Sequence, residues 1–350
     1  VVEFLSMLAL AGLLSYGGYK SDQGEVTLGV VVAFFQYGLR FFRPIQDLSE
    51  KYNILQSAMA ASERVLKLLD TQPKIISGTG SKAVSDRPLG IEFDQVSFAY
   101  KENEWVLNSV SFRINPGETI AVVGHTGAGK TALMSLLMRF YDIQKGAIRV
   151  GGEDIRTLDL SSLRSAFGVV LQDAYLFTGT LAENIRMGTS SITDEKIRWA
   201  AEQVNLLDYI ESLPEQFNHP IRERGAGLST GQKQLVSFAR ALVHEPRILI
   251  LDEATSSVDT ETEVRIRTAL DHLVEGRTSI IIAHRLSTIQ KADRILVMHK
   301  GELREAGTHQ ELLALRGIYY KLYELQYKDQ EKKEALPKER LSSLQSTEPA

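Results

Sequence analysis

The hydrophobic positions at the start of the chain form two long segments separated by a polar turn. Residues 1–19 carry only one charged side chain, Glu3, and about 20 apolar residues are enough for a helix to cross a bilayer. A polar turn at residues 17–24 precedes a second apolar segment, residues 26–42, whose uninterrupted core is shorter. The tandem arrangement predicts a transmembrane hairpin, and two core helices of a soluble domain are the alternative.

Basic residues concentrate after the second apolar segment. The turn between the segments carries Lys20, Asp22 and Glu25, whereas the far side carries Arg40, Arg43, Lys51, Arg64 and Lys67. Because Lys and Arg are enriched in cytoplasmic loops of membrane proteins, this asymmetry predicts that the far side is cytoplasmic. Apolar positions then recur at three- and four-residue steps from Pro44 to Leu69, which predicts that the second helix continues as an amphipathic helix.

The rest of the chain alternates strand-like and helical segments. Residues 71–89 are rich in Ser, Gly, Pro and Lys, which is typical of a linker after a first part at residues 1–70. Residues 90–327 predict an α/β domain with a largely parallel sheet, and residues 328–350 predict a solvated or disordered tail. The predicted strands are Ile91–Phe98, Thr119–Val123, Gly168–Leu171, Ile248–Leu251, Ser279–Ala283 and Arg294–Met298.

Composition excludes several classes of function. The net charge of -4 over 350 residues gives no electrostatic footprint for nucleic acid. The absence of cysteine excludes a disulfide framework and thiolate metal sites. The chain begins with Val1 and enters an apolar segment at once, so we expect a fragment of a longer polypeptide. A secretory signal peptide is the alternative, although no basic segment precedes the apolar run.

A glycine-rich motif follows the strand predicted at Thr119–Val123. Residues 124–131 read Gly-His-Thr-Gly-Ala-Gly-Lys-Thr and lead into a helix predicted at residues 132–140. This matches the phosphate-binding pattern G-x-x-x-x-G-K-[ST], in which glycines let backbone N–H groups surround phosphate at a helix N-terminus. We expect Lys130 to reach the β- and γ-phosphates and Thr131 to ligate Mg²⁺. A glycine-rich turn without a ligand is the alternative. The proposed cradle residues are Gly124, Thr126, Gly127, Gly129, Lys130 and Thr131.

Two acidic residues end a second apolar strand. The run Ile248–Leu251 is continuously apolar, as in a buried parallel strand, and Asp252 and Glu253 follow it. Ligands of open α/β sheets lie beyond the carboxyl ends of strands. We assign Asp252 to the metal and Glu253 to the general base. Alone, such a pair more often caps the next helix, but the phosphate motif upstream favours the catalytic assignment.

Residues 228–234, Leu-Ser-Thr-Gly-Gln-Lys-Gln, resemble the LSGGQ signature of the ATP-binding cassette (ABC) family, with Thr230 in place of the first glycine. Further motifs resemble the same family in order and spacing over residues 90–327. A lone tyrosine, glutamine or histidine would be structural or surface, whereas the complete set is specific. These motifs contain Tyr100, which resembles the adenine-stacking aromatic residue, Gln172 of a Q-loop, Asp259 of a D-loop and His284, which resembles the switch histidine.

Residues 178–185 and 221–225 narrow the resemblance to the exporter branch, in which membrane helices precede the cassette. This implies an α/β P-loop NTPase of the ABC ATPase type, with a RecA-like core and a helical subdomain, preceded by transmembrane α-helices. Residues 1–70 would hold the last two of six membrane helices. The resemblance also implies ATP and Mg²⁺ as cofactors, catalysis by Glu253, His284 and Gln172, and Thr131, Gln172 and Asp252 around the metal.

The resemblance also implies how the chain works with a partner. Two cassettes would enclose two ATP molecules, so that Ser229, Gly231 and Gln232 act on the partner's γ-phosphate. We expect a multi-pass protein of the cell membrane with a cytoplasmic nucleotide-binding domain. The scarcity of polar groups in the apolar segments, mainly Gln36, favours an amphipathic or hydrophobic cargo such as a lipid, drug or peptide.

The identity of that partner depends on Thr230. Threonine adds a branched side chain where glycine allows close backbone approach. By its resemblance to heterodimeric exporters with an altered signature on one chain, this implies a heterodimer with a second half-transporter, and an ordinary homodimer is the alternative. Two other readings are weaker. The apolar segments and the lack of a basic patch oppose a soluble ABC ATPase acting on nucleic acid or ribosomes. Glu253 and His284 oppose a regulatory subunit that binds ATP without hydrolysing it.

Overall fold

The computed structural model describes residues 2–77, 82–85, 88–252, 260–282 and 286–327. The chain divides into two compact units, Val1–Lys74 and Ile75–Ala350. The predicted tail at residues 328–350 lies outside the described residues.

The first unit is a pair of packed helices, α1 (Val2–Asp22) and α2 (Leu28–Asp70). The prediction that the second apolar segment continues as a helix is confirmed, because α2 runs unbroken past Pro44. The helices approach closely: a Cβ on Gly17 would lie 2.9 Å from Val31 Cγ1, and one on Gly38 would lie 2.8 Å from Leu10 Cδ2. Since the two contacts run in opposite directions along the chain, the helices are antiparallel.

The prediction of a polar turn over residues 17–24 is wrong in its position. Residues 17–22 belong to α1, and the turn lies at residues 23–27. A glycine inside a helix costs about 1 kcal/mol relative to alanine, but the missing side chain of Gly17 is what lets Val31 pack against the helix. Close helix packing therefore overrides the local turn signal.

Among the described residues, no helix combines the length and the hydropathy required to cross a bilayer. The transmembrane hairpin predicted from the sequence is therefore not confirmed.

The second unit contains two main sheets. The six-stranded sheet has the order β12-β11-β3-β10-β9-β6, parallel except for the antiparallel edge strand β12. A four-stranded antiparallel sheet has the order β2-β1-β4-β5, and β7 pairs with β8. The strands are β1 (Ile91–Ala99), β2 (Trp105–Ile114), β3 (Thr119–Val123), β4 (Lys145–Val150), β5 (Glu153–Asp154), β6 (Phe167–Val170), β7 (Gly179–Thr180), β8 (Pro220–Ile221), β9 (Ile248–Asp252), β10 (Thr278–Ile282), β11 (Arg294–His299) and β12 (Glu302–Gly307).

Ten helices of the described residues surround these sheets. They are α3 (Lys130–Leu137), α4 (Leu160–Ser165), α5 (Leu181–Arg186), α6 (Asp194–Gln203), α7 (Leu207–Ser212), α8 (Thr230–Val243), α9 (Thr260–Val274), α10 (Leu286–Lys291), α11 (His309–Leu315) and α12 (Ile318–Leu322).

The predicted parallel sheet is confirmed, and all six predicted strands are present within one or two residues. The first of them lies in the antiparallel sheet, which the sequence did not predict. The burial of the parallel strands explains why the sequence pattern predicted them. Along β3, Ile120 and Val122 pack on one face of the sheet, while Ala121 and Val123 pack on the other. A strand buried on both faces is a continuous apolar run.

Helices α5 to α8 form a mainly helical part of this unit, where a buried asparagine organises the loop before α5. Asn184 is 2% exposed. Its side chain accepts a hydrogen bond from the Phe177 N–H (2.8 Å) and donates to the carbonyls of Phe177 (2.9 Å) and Thr180 (3.0 Å). Arg240 of α8 donates to the Asn184 carbonyl at 2.9 Å. One side chain thus satisfies loop backbone groups that would otherwise lack partners.

We expect Asn184→Ala to lower the free energy of unfolding of this unit by about 1–3 kcal/mol, because buried backbone groups lose their partners. Urea denaturation followed by circular dichroism measures the change. Asn218→Ala, at an exposed position, is the matched control and should shift stability by less than about 0.5 kcal/mol. Equal effects of the two substitutions would contradict this role of Asn184.

Candidate nucleotide-binding site

The carboxyl ends of four parallel strands meet at one edge of the large sheet. Ile282 at the end of β10 is in register with Val122 of β3 on one side and with Asp252 of β9 on the other. Leu251 is in turn opposite Val170, the last residue of β6. The phosphate loop after β3 and Gln172 after β6 therefore begin at the same edge of the sheet, where open α/β sheets bind ligands.

The phosphate loop, residues 124–131, has a backbone that only glycine adopts without strain. Gly124, Gly127 and Gly129 have φ angles of 152°, 80° and 102°. A Cβ on Gly124 would lie 2.3 Å from the Met298 carbonyl oxygen, and a Cβ on Gly129 would lie 2.6 Å from Leu107 Cδ2. Both the conformation and the space exclude a larger residue. Gly129 is the N-cap of α3 without a side-chain cap, so the first backbone N–H groups of α3 remain for an anion.

Lys130, the first residue of α3, carries the positive charge of the loop. Its ammonium group donates hydrogen bonds to the carbonyls of Gly124 (2.5 Å) and His125 (3.1 Å). Burial lowers the pKa of Lys130, and the negative charge of Asp252 opposes this shift. Desolvation of a cation makes an anionic ligand beside it more favourable, because the surrounding medium screens the pair less.

A cavity of about 510 Å³ lies over the loop, within the usual range for small-molecule sites. Most of the residues predicted to bind phosphate and metal line this cavity. Three apolar residues also line it, and the sequence contained no signal for them because they carry no polar group: Val106, Ala132 and Ile282. The remaining lining residues are Tyr100, Thr126, Gly127, Gly129, Lys130, Thr131, Gln172 and Asp252.

The donor set of this cavity fits a nucleotide with a hard divalent cation. Thr131, Gln172 and Asp252 offer a hydroxyl, an amide carbonyl and a carboxylate in one cavity, which are the oxygen ligands that Mg²⁺ prefers. Lys130 and the N-terminus of α3 lie on the same wall and suit the phosphates. Tyr100 provides an aromatic face at the rim, where it is half-exposed.

The signature motif, residues 228–234, is not part of this cavity. Ser229 is the N-cap of α8, where its hydroxyl accepts from the Gln232 N–H (3.2 Å) and its own N–H donates to Gln232 Oε1 (2.8 Å). Neither these residues nor Gly231 line the cavity over the phosphate loop. The structure therefore gathers the cradle and the metal residues, but not the signature, around one cavity.

Thr230 occupies the first turn of α8, and its φ is not positive. It lines a neighbouring cavity of about 390 Å³, which Gln172 also lines. Gln172 is thus the predicted site residue that contacts both cavities. The backbone of α8 does not itself require glycine at position 230.

Three predicted site residues, Glu253, Asp259 and His284, lie outside the described residues. In sequence, Glu253 directly follows Asp252, and His284 is two residues beyond Ile282.

Comparison with known proteins places these observations in a family. Residues 107–256 match the family model described as ABC transporter. The chain is 48% identical over 329 residues to a probable multidrug resistance ABC transporter ATP-binding/permease protein, YheH of Bacillus subtilis, covering 93% of this chain and 48% of the relative. It is 42% identical over 328 residues to the ATP-dependent lipid A-core flippase of Syntrophus aciditrophicus, covering 94% of this chain and 54% of the flippase.

The fold is similar to a solved structure of a bacterial Atm1-family ABC exporter with ATP bound. The TM-score is 0.71 at 34% identity, with 96% of this chain and 57% of the exporter chain covered. The chain therefore spans about half the length of the relatives that it matches. These matches agree with the geometry of the site. This chain carries the ATPase domain of an ABC transporter, and its relatives include ABC exporters.

Proposed function

We propose that the chain binds and hydrolyses Mg-ATP as part of an ABC exporter. The observation that carries the proposal is the cavity in which a glycine cradle, a desolvated lysine and three oxygen donors meet at the carboxyl edge of a parallel sheet. The ATP in the related Atm1-family structure supports the choice of nucleotide.

The described residues have distinct roles in this proposal. Lys130 exchanges its carbonyl partners for phosphate oxygens, and the N–H groups at the start of α3 hold the same anion. Thr131, Gln172 and Asp252 would hold Mg²⁺, which would supply positive charge against the phosphate oxygens. The apolar walls at Val106 and Ile282 limit water around the phosphates.

The hydrolytic step is assigned to Glu253, Gln172 and His284 from the sequence motifs in which they stand. Glu253, next to the metal carboxylate, accepts a proton from the attacking water as the general base. Gln172 and His284 orient that water and the γ-phosphate. In a pair of cassettes, Ser229, Gly231 and Gln232 at the N-terminus of α8 contact the partner's γ-phosphate, and Asp259 is assigned to the nucleotide from its resemblance to a D-loop residue.

We further propose that the chain acts in the cell membrane, with its nucleotide-binding domain in the cytoplasm. The 329 residues aligned with the B. subtilis relative exceed the length of the second unit, so the similarity to an ATP-binding/permease protein also includes α2. An apolar cavity of about 250 Å³ between α1 and α2, lined by residues such as Leu13, Val30 and Phe34, agrees with an amphipathic or hydrophobic cargo. The flippase relative supports a lipid-like cargo.

Replacement of Glu253 by glutamine in the assembled transporter should preserve ATP binding and lower turnover at its site by about 10²- to 10⁴-fold, because the general base is lost. Single-turnover hydrolysis with the opposite site disabled measures this rate. Glu275→Gln, at an exposed position after α9, is the matched control and should leave the rate unchanged. Normal turnover by the Glu253 variant would remove this residue from the mechanism.

The heterodimer remains part of the proposal and depends on Thr230. Its branched side chain stands where the family signature has glycine, whereas the cradle residues and the two acids, Asp252 and Glu253, are all present. An altered signature on this chain would then face the weaker of two unequal sites. The helical backbone at Thr230, which does not demand glycine, favours the alternative of a homodimer.

Expression of the complete protein alone and with a second half-transporter distinguishes these assemblies. A heterodimer predicts ATPase activity only when both chains are present, and loss of that activity with Glu253→Gln in this chain. Thr230→Gly should raise turnover at the weaker site if the branched side chain limits phosphate contact there. A stable homodimer with two equally active sites, unaffected by Thr230→Gly, would exclude the heterodimer.

A further inference from the structure

Three aromatic rings form a cluster at the rim of the proposed ATP site. The Tyr100 ring stands nearly perpendicular to two neighbours: Phe98 at a centroid distance of 4.8 Å and an angle of 81°, and Tyr141 at 5.0 Å and 85°. Phe98 and Tyr141 also contact each other, at 5.7 Å. Such edge-to-face arrangements are the preferred geometry of aromatic pairs. The orientation of the Tyr100 ring is therefore defined by contacts with two neighbouring rings.

These two neighbours differ in how firmly the rest of the fold holds them. Phe98 is 1% exposed and belongs to the core beneath the antiparallel sheet. Tyr141 is 46% exposed, and it lies in the connection from the phosphate-binding helix α3 to β4. Tyr100 begins an exposed turn at residues 100–104 and is itself half-exposed. The contact with Tyr141 therefore supports a ring that otherwise projects from a surface turn.

Hydrogen bonds fix the connection that carries Tyr141 to the end of β1. The Gln144 side chain accepts from the Ala99 N–H (3.1 Å) and donates to the Ala99 carbonyl (2.9 Å), directly before Tyr100. At the other end, Arg139 donates to Asp142 at 2.9 Å and to the Arg156 carbonyl at 3.3 Å. The backbone of the segment is thus tied on both sides of Tyr141, which keeps this residue close to the end of β1.

Among the described residues, Tyr100 lines the cavity over the phosphate loop and Tyr141 does not. We propose that Tyr141 is a positioning residue that holds the Tyr100 ring in the plane that stacks on the adenine base of ATP. This inference rests on the proposed function, since it concerns how that site recognises its base. Because Tyr141 lies just after α3, its contact with Tyr100 also links the proposed base contact to the helix that begins with the proposed phosphate contacts.

Titration of the 350-residue chain with Mg-ATP tests this inference, with Mg-tripolyphosphate as a probe that lacks the base. Tyr141→Ala and Tyr141→Leu should weaken ATP binding by about 2- to 12-fold, the equivalent of the ~0.5–1.5 kcal/mol of an aromatic pair. Tripolyphosphate binding should change by less than about 2-fold on the same scale. Tyr141→Phe keeps the ring and should keep the affinity. Phe140→Ala is the matched control, because Phe140 is also half-exposed but contacts Arg164 instead.

A double-mutant cycle separates positioning from general damage to the fold. In a Tyr100→Ala background, the further substitution Tyr141→Leu should have no effect on ATP affinity, because the ring that it positions is gone. A loss that persists in that background, or an equal loss of tripolyphosphate binding, would overturn the inference. Unchanged ATP affinity in both Tyr141 variants would overturn it as well. If the wild-type chain failed to bind ATP, the proposed function would fall, and this inference with it.

Discussion

The close approach of backbone segments around the phosphate loop is the constraint on which the rest of the site depends. Gly124 lies against the carbonyl of Met298, and Gly129 lies against Leu107, so that neither position has room for a Cβ atom. Gly301 makes a similar approach, since its Cβ would lie 2.4 Å from the Val106 carbonyl oxygen. Only glycine combines these contacts with a positive φ. The phosphate loop therefore packs tightly between β2 and the turn after β11.

Hydrogen bonds at the phosphate loop connect the two sheets of the second unit. The Asn108 N–H of β2 donates to the Gly301 carbonyl at 2.8 Å, and the Gly301 N–H donates to the Ala128 carbonyl at 3.2 Å. The antiparallel sheet, which carries Tyr100 at the end of β1, is thereby joined to the parallel sheet, which carries Asp252. The residues proposed for the base and for the phosphates therefore come from different sheets and line one cavity.

The sequence predicted the parts of the fold in which burial and chemistry coincide. The strands β3 and β9 are buried on both faces, so their apolar runs were visible, and the polar motifs after them located the cavity. Other strands were missed because their patterns are mixed. β12 is a polar edge strand, and β2 has register shifts against β1 that interrupt the alternation of its buried positions. The antiparallel sheet that carries the aromatic residue therefore remained unpredicted.

The supporting residues of the site were also beyond sequence reasoning. Gln144 and Tyr141 belong to none of the sequence motifs, and only the folded structure places them beside Ala99 and Tyr100. The polar turn was misplaced for a related reason, since packing of Gly17 against Val31 is a long-range contact with no local signal. The meaning of Thr230 stays a prediction, because its effect depends on a second cassette.

Isothermal titration of residues 75–327 with Mg-ATP shows whether this unit by itself forms a nucleotide site around its phosphate loop. The wild-type unit should bind Mg-ATP saturably. Lys130→Ala should weaken this binding by about 10- to 160-fold, since hydrogen bonds to charged groups contribute ~1.5–3 kcal/mol. A correctly folded unit that binds no Mg-ATP, or one that binds it equally well without Lys130, would contradict this assignment of the site.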